Sequence, residues 1–260
     1  MRDEKFLQGR IAIVTGGTSG IGRAIAQSLA QRGANLAIGS RSASKSSCQT
    51  EMESLGVKAL VMNLDVAASD SVKTFYEAVV QTFGQVDILV NAAGITCEHT
   101  MCDHPDELWH RIIDVNLNGI YRTIKLCLPG MIERRWGRII NIASTYGSVG
   151  VLLHAAYCAS KAGVIGLTRC VALEGAPYGV SCNSISPGWV ETNMGKDASR
   201  RLAQAEGRTA AEYLEELKQS YPQKRLIEPQ EIGELAAFLC RNQALGMTMQ
   251  DLTVSGGSLW

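Results

Sequence analysis

Seven short runs rich in β-branched residues, at 11–15, 35–40, 58–62, 86–90, 137–143, 180–185 and 251–254, are separated by stretches of twelve or more residues that suit helices. Strands apolar on both faces and separated by helices build a parallel sheet covered on both sides. The predicted fold is therefore α/β: a doubly wound, Rossmann-type sheet of seven parallel strands, with its ligand beyond the strands' carboxyl ends. No linker or internal repeat divides the 260 residues, so 1–260 is expected to be a single domain. The exception to the alternation is the polar segment 193–225. Thr209 and Glu212 stand at capping-box spacing there, opening a helix through Leu217 that Pro222 ends. Because the segment follows the sixth strand, it is expected to be a substrate lid, with an ordinary surface excursion as the alternative.

Composition narrows the class. A chain of this size buries about three-quarters of its unfolded surface, so its core needs neither disulfides nor metal. Apolar residues at 46% and charged residues at 19% lie far from disorder. The balance of 25 basic against 25 acidic side chains, with no basic tract, argues against a nucleic-acid partner. No apolar run is long enough for a membrane span, and the start Met-Arg-Asp-Glu-Lys lacks the apolar core of a signal peptide. A soluble cytoplasmic protein is expected. Its eight cysteines, without a Cys-x-x-Cys pair, read as small buried hydrophobes. Cys97, His99, Cys102 and His104 crowd together but lack the paired spacing of a zinc site, so a solvated loop and no metal are expected.

The first strand runs into Gly16-Gly17-Thr18-Ser19-Gly20-Ile21-Gly22, and a helix follows with Ile21, Ile25 and Leu29 on one face. Bare glycine backbone and a helix N-terminus together cradle a pyrophosphate. At the end of the second strand stand Ser40 and Arg41, with Lys45 nearby, and no carboxylate that would repel a 2′-phosphate. NADP(H) is therefore favoured over NAD(H). Asp65 and Val66 after the third strand, and Asn91, Ala92 and Gly94 after the fourth, fit the rest of a dinucleotide. Ser144 follows the fifth strand, and Tyr157-x-x-x-Lys161 puts a phenol and an ammonium on one helical face. A phenol near pKa ~10 transfers protons at neutral pH only with help from a neighbouring cation.

Thr15–Gly22, Asn91–Gly94, Asn116, Ser144, Tyr157, Lys161 and Pro187-Gly188 together resemble the short-chain dehydrogenase/reductase family in order and spacing. The resemblance implies sheet order 3-2-1-4-5-6-7 and a homotetramer. It implies that Tyr157 is the general acid/base and that Lys161 binds the nicotinamide ribose and lowers the tyrosine's pKa. Ser144 would hold the substrate oxygen, and Asn116 a water that relays protons to Lys161. Pro187 and Gly188 would flank the nicotinamide, Thr192 would hold its carboxamide, and Val190 would make a backbone contact.

Within that family the chain looks most like 3-oxoacyl carrier-protein reductases, polyketide ketoreductases and 3-hydroxybutyrate dehydrogenases. Positions that bind a substrate carboxylate in the last group hold Thr96, Tyr146 and His154 here. Of the two arginines that carrier-protein reductases present to the carrier, Arg135 matches one and Tyr178 stands at the other. The expected substrate pocket is ringed by Thr96, Ser144, Tyr146, Leu152, Leu153, His154, Trp189 and Met194. His154 either lines it or caps its helix toward solvent. The function expected is reduction of a ketone or 3-oxo compound, Tyr157 being the acid. An oxidative sugar, polyol or hydroxy-acid dehydrogenase is the alternative, and a non-catalytic dinucleotide sensor a further one.

Overall fold

Burial follows the predicted alternation. The computed structural model describes residues 5–258. Its strands are β1 (Ile11–Thr15), β2 (Asn35–Ser40), β3 (Ala59–Asn63), β4 (Ile88–Asn91), β5 (Gly137–Ile142), β6 (Val180–Pro187) and β7 (Asp251–Val254). They form one parallel sheet in the order β3-β2-β1-β4-β5-β6-β7. Strands β1, β4, β5 and β6 are buried throughout, whereas β3 and β7, at the edges, are mostly half-buried.

The helices are α1 (Gly20–Gln31), α2 (Cys48–Ser54), α3 (Ser69–Phe83), α4 (Asp106–Ile113), α5 (Gly119–Glu133), α6 (Ala155–Gly175), α7 (Asn193–Ala205), α8 (Ala210–Ser220) and α9 (Pro229–Leu239). Helices α1, α2 and α9 fill one face of the sheet through Ile25, Leu29, Met52, Ile232 and Ala236. The opposite face is filled from α3, α5 and α6 by Phe75, Val79, Ile120, Ile124 and Val164. Each fully buried aliphatic or aromatic side chain of this kind contributes about 1.5–3 kcal/mol. Among the described residues no helix is long and apolar enough to cross a membrane.

Four strands differ from the sequence expectation by one or two residues at a limit, β3 starting at Ala59 and ending at Asn63 and β5 ending at Ile142. The run 86–90 becomes β4 at Ile88–Asn91, and Asp87 just before it accepts from the Ile11 amide through its carboxylate at 2.9 Å. Strand β6 continues past residue 185 to Pro187, which pairs with Val254. In the polar segment the Thr209–Glu212 capping box is present and opens α8. Helix α7 was not foreseen; it is capped by the Thr192 hydroxyl, which accepts from the Gly195 amide at 3.1 Å. The cysteine expectation needs correction: Cys48, Cys127, Cys182 and Cys240 are buried, but Cys102 and Cys170 are exposed. Burial pushes the Cys127 and Cys240 thiols up to about 12.

Candidate active site

Strand order reverses between β1 and β4, and the sheet's main cleft, about 550 Å³, opens at the carboxyl ends there. The β1–α1 turn lies against the loop after β4. Gly16 has φ +68°, and a Cβ on it would stand 2.8 Å from the Ala93 amide nitrogen. At Gly22 a Cβ would stand 2.4 Å from the Gly16 carbonyl oxygen. Only glycine fits either place. Helix α1 carries no acidic side chain in its first turn, and Ser19 at its N-cap makes no side-chain cap bond. Thr18, Ser19, Gly20, Ile21 and Gly22 line the cleft where those first amides face it. An unblocked helix N-terminus behind bare backbone fits a pyrophosphate.

At the adenosine end, Thr18 Oγ1 donates to Ser40 Oγ at 2.8 Å, and the exposed Arg41 lines the cleft beside Ser40. The Lys45 side chain lies outside the described residues. Asp65 lines the same end with Val66, and its carboxylate already accepts from the Ala67 amide at 3.0 Å and pairs with Arg111 at 3.1 Å. Burial works to raise the Asp65 pKa, but the Ala67 amide, Arg111 and Arg41 outweigh it and hold the carboxyl below its usual range.

Asn91 sits under the cleft rather than in its wall. Its amide donates to Asn141 Oδ1 at 2.9 Å and accepts from Thr123 Oγ1 at 2.7 Å. Ala92 and Gly94 line the cleft above it, with Pro187, Gly188, Val190 and Thr192 on the opposite wall. Asn116 lies in the π-helical turn Asp114–Asn118 between α4 and α5. Its side chain is fully engaged: Oδ1 accepts from the Ile95 amide at 2.9 Å, and Nδ2 donates to Ile95 O and Ser160 Oγ.

Tyr157 and Lys161 project from α6 into the middle of the cleft, and Lys161 is buried. The Lys161 Nζ stands 5.5 Å from the Tyr157 ring centre and donates to the Ile142 carbonyl at 2.7 Å. Burial pushes the Tyr157 phenol up to about 12, against the lowering effect of a hydrogen bond with Ser144. Burial also pulls Lys161 down to about 8. In the ligand-free protein loss of hydration thus dominates at Tyr157, and Lys161 holds its proton less firmly than an exposed lysine.

Beyond Tyr157, Thr96, Tyr146, His154, Trp189 and Met194 line the far end of the cleft. Tyr146 Oη accepts from Trp189 Nε1 at 3.1 Å, and its ring meets Tyr157 and His154 edge-on. His154 is 5% exposed, which places it in the wall rather than in solvent. Leu152 and Leu153 depart from the expected ring. Leu152 is 84% exposed, and Leu153, at φ +67°, offers its carbonyl to the His99 amide at 2.9 Å. Cys97 Sγ lies 3.5 Å from His104 Nε2 in the same loop. At the opposite end of β5, Arg135 donates to Pro177 O and lies over the Tyr178 ring. Glu98 and Arg201, which no sequence motif marks, pair between the loop after β4 and α7 across 103 residues.

Comparison with known proteins adds to this geometry. Residues 10–203 match the family model described as short chain dehydrogenase. The chain is 41% identical to 3-oxoacyl acyl-carrier-protein reductase of Vibrio cholerae serotype O1, over 96% of this chain and 98% of the relative. It is 38% identical to D-beta-hydroxybutyrate dehydrogenase of Cupriavidus necator, over 92% of this chain and 93% of the relative. The crystal structure of a substituted actinorhodin polyketide ketoreductase with NADPH superposes with a TM-score of 0.92 at 36% identity, covering 95% of this chain and 96% of that one.

Proposed function

The chain belongs to the short-chain dehydrogenase/reductase family and is an oxidoreductase of hydroxyl and keto groups; from that premise we propose that it reduces ketones or 3-oxo compounds with NADPH, Tyr157 acting as the general acid. The observation that carries this reading is one cleft with a glycine cradle at one end and Ser144, Tyr157 and Lys161 at the other. Gly16, Thr18, Ser19, Gly20, Ile21 and Gly22 hold the pyrophosphate, and Ser40 and Arg41 the 2′-phosphate. Lys161 and Thr192 hold the nicotinamide half. When bound, the nicotinamide supplies the hydride.

The residues of the chain do the rest. Ser144 and Tyr157 donate hydrogen bonds to the carbonyl oxygen and so favour charge developing there. A phenol at about 12 is fully protonated at neutral pH and still acidic enough to quench an alkoxide. Lys161, at about 8, is mostly charged at pH 7 and compensates the phenolate that remains. Oxidation would need that phenol deprotonated first. Similarity to a hydroxybutyrate dehydrogenase supports the oxidative direction as a second reading.

Helix α7, through Asn193, Met194 and Ala198, covers the substrate end, and 193–225 acts as its lid. The working assembly is a homotetramer; Leu173 on α6 and Phe238 on α9 supply exposed apolar contact surface. The test is NADPH absorbance followed with a panel of ketones, 3-oxo esters and sugars. NADPH-linked ketone reduction supports the proposal, while turnover of polyols alone, in the oxidative direction, overturns it.

A further inference from the structure

Three segments meet at the substrate end of the cleft: the loop after β4, the loop before α6, and α7. Their common point is Glu98, whose side chain is only 9% exposed. Both of its oxygens accept from Arg201 on α7, Oε2 from Nε at 2.6 Å and Oε1 from Nη2 at 3.0 Å. Oε1 also lies 3.8 Å from His154 Nε2. The other ring nitrogen of His154 is 2.8 Å from the Leu152 carbonyl, which only accepts. That contact assigns the neutral ring's hydrogen to Nδ1 and leaves Nε2 turned toward Glu98. The bond from the His99 amide to Leu153 O fastens the two loops beside the pair.

Among the described residues, the basic side chains in the cleft wall are Arg41, His154 and Lys161. Arg41 stands at the adenosine end and Lys161 beside Tyr157, so neither serves the far end of the substrate. There the groups able to carry positive charge are His154 and, behind it, Arg201, and one internal carboxylate faces both. A fork of two charge-assisted bonds satisfies that carboxylate well. An incoming carboxylate would lose hydration and gain no free cation in return.

We propose that Glu98 is a specificity-determining residue: its carboxylate occupies Arg201 and faces His154, rejects substrates that carry a carboxylate near the reacting carbonyl, and so selects uncharged 3-oxo compounds such as esters and thioesters. This rests on the ketone-reductase reading above. A latch without influence on specificity would, when broken, impair acidic and neutral substrates alike. Their ratio separates the two roles.

The experiment compares kcat/KM for acetoacetate and ethyl acetoacetate in the wild type, Glu98→Gln and Arg201→Ala, with calorimetric titration of acetoacetate into each protein–NADP+ complex. The wild type is expected to favour the ester by about tenfold or more, with no measurable acetoacetate binding. Glu98→Gln frees Arg201 from its carboxylate partner and removes the negative charge facing His154, and should raise the acid-to-ester ratio about tenfold and make acetoacetate binding measurable. Arg201→Ala leaves the Glu98 charge uncompensated and should shift the ratio further toward the ester, a second reading if the first variant folds poorly. A wild type that takes acid and ester equally, or a Glu98→Gln variant that loses both with the ratio unchanged, would overturn the proposal. Reduction of neither compound would overturn the ketone-reductase reading itself.

Discussion

Exchanging Lys161 for Met isolates the electrostatic cost of the catalytic end. Burial lowers this ammonium from its ordinary 10.5 to about 8. At about 1.36 kcal/mol per pKa unit, the folded protein carries roughly 3 kcal/mol of penalty while the lysine is charged in both states. Below pH 8 that penalty is complete. Between about pH 8 and 10.5 the folded chain has released the proton and the unfolded chain still holds it, so stability from this group rises with pH. Above 10.5 the penalty is gone. Met carries no such term, although it also forfeits the hydrogen bond to the Ile142 carbonyl. That loss is an offset of about 1–3 kcal/mol present at each pH. The assay is urea unfolding of the ligand-free wild type and Lys161→Met at pH 7 and pH 10. The wild type should gain about 2–3 kcal/mol on the variant between the two pH values, because other titrating groups are shared and cancel. A difference that stays flat with pH, or moves the other way, would refute the assignment of a buried, reluctantly charged lysine.

The same lysine shapes the reaction: kcat/KM for reduction should fall as pH rises through about 8, with no limb from Tyr157 below pH 10, and a profile flat to pH 10 would contradict it. Arg41→Ala should weaken NADPH by about tenfold or more while leaving NADH nearly unchanged; equal weakening in fluorescence titrations would make Arg41 a plain surface charge. Asn91→Ala orphans the buried Asn141 Oδ1 that it now satisfies, while Thr123 keeps the Ile120 carbonyl, and should cost about 1–3 kcal/mol in urea unfolding. An unfolding midpoint equal to the wild type's would show that the network is dispensable.

The sheet was legible because its strands are apolar on both faces and its helices fill the gaps between them. The two edge strands are legible too, since β3 packs Ala59 and Val61 on one side and Leu60 and Met62 on the other, and β7 packs Leu252 and Val254. What escaped was decided by contacts between distant residues. Helix α7 buries only the small Ala198, Ser199 and Ala203, and its apolar stripe of Met194, Ala198 and Leu202 is narrow among charged neighbours. Glu98 and Arg201 meet only because the chain folds, and nothing local to either marks the pair. Leu152 and Leu153 sit within five residues of Tyr157, but a left-handed residue at Leu153 turns the loop out of the pocket. Spacing placed Tyr157 and Lys161 on one face, whereas their pKa values follow from how deeply α6 is buried, which spacing does not report.

On the proposed function, one cleft sets a bound nicotinamide against a carbonyl beside Tyr157. The most direct test is a single-turnover reaction with NADPH deuterated at the transferring C4 position and ethyl acetoacetate, with the alcohol examined by mass spectrometry, in the wild type and Tyr157→Phe. The expected result is one deuterium on the carbinol carbon in the wild type, and loss of that transfer in Tyr157→Phe with NADPH affinity nearly unchanged. Product without deuterium, or transfer at the wild-type rate in Tyr157→Phe, would contradict the account.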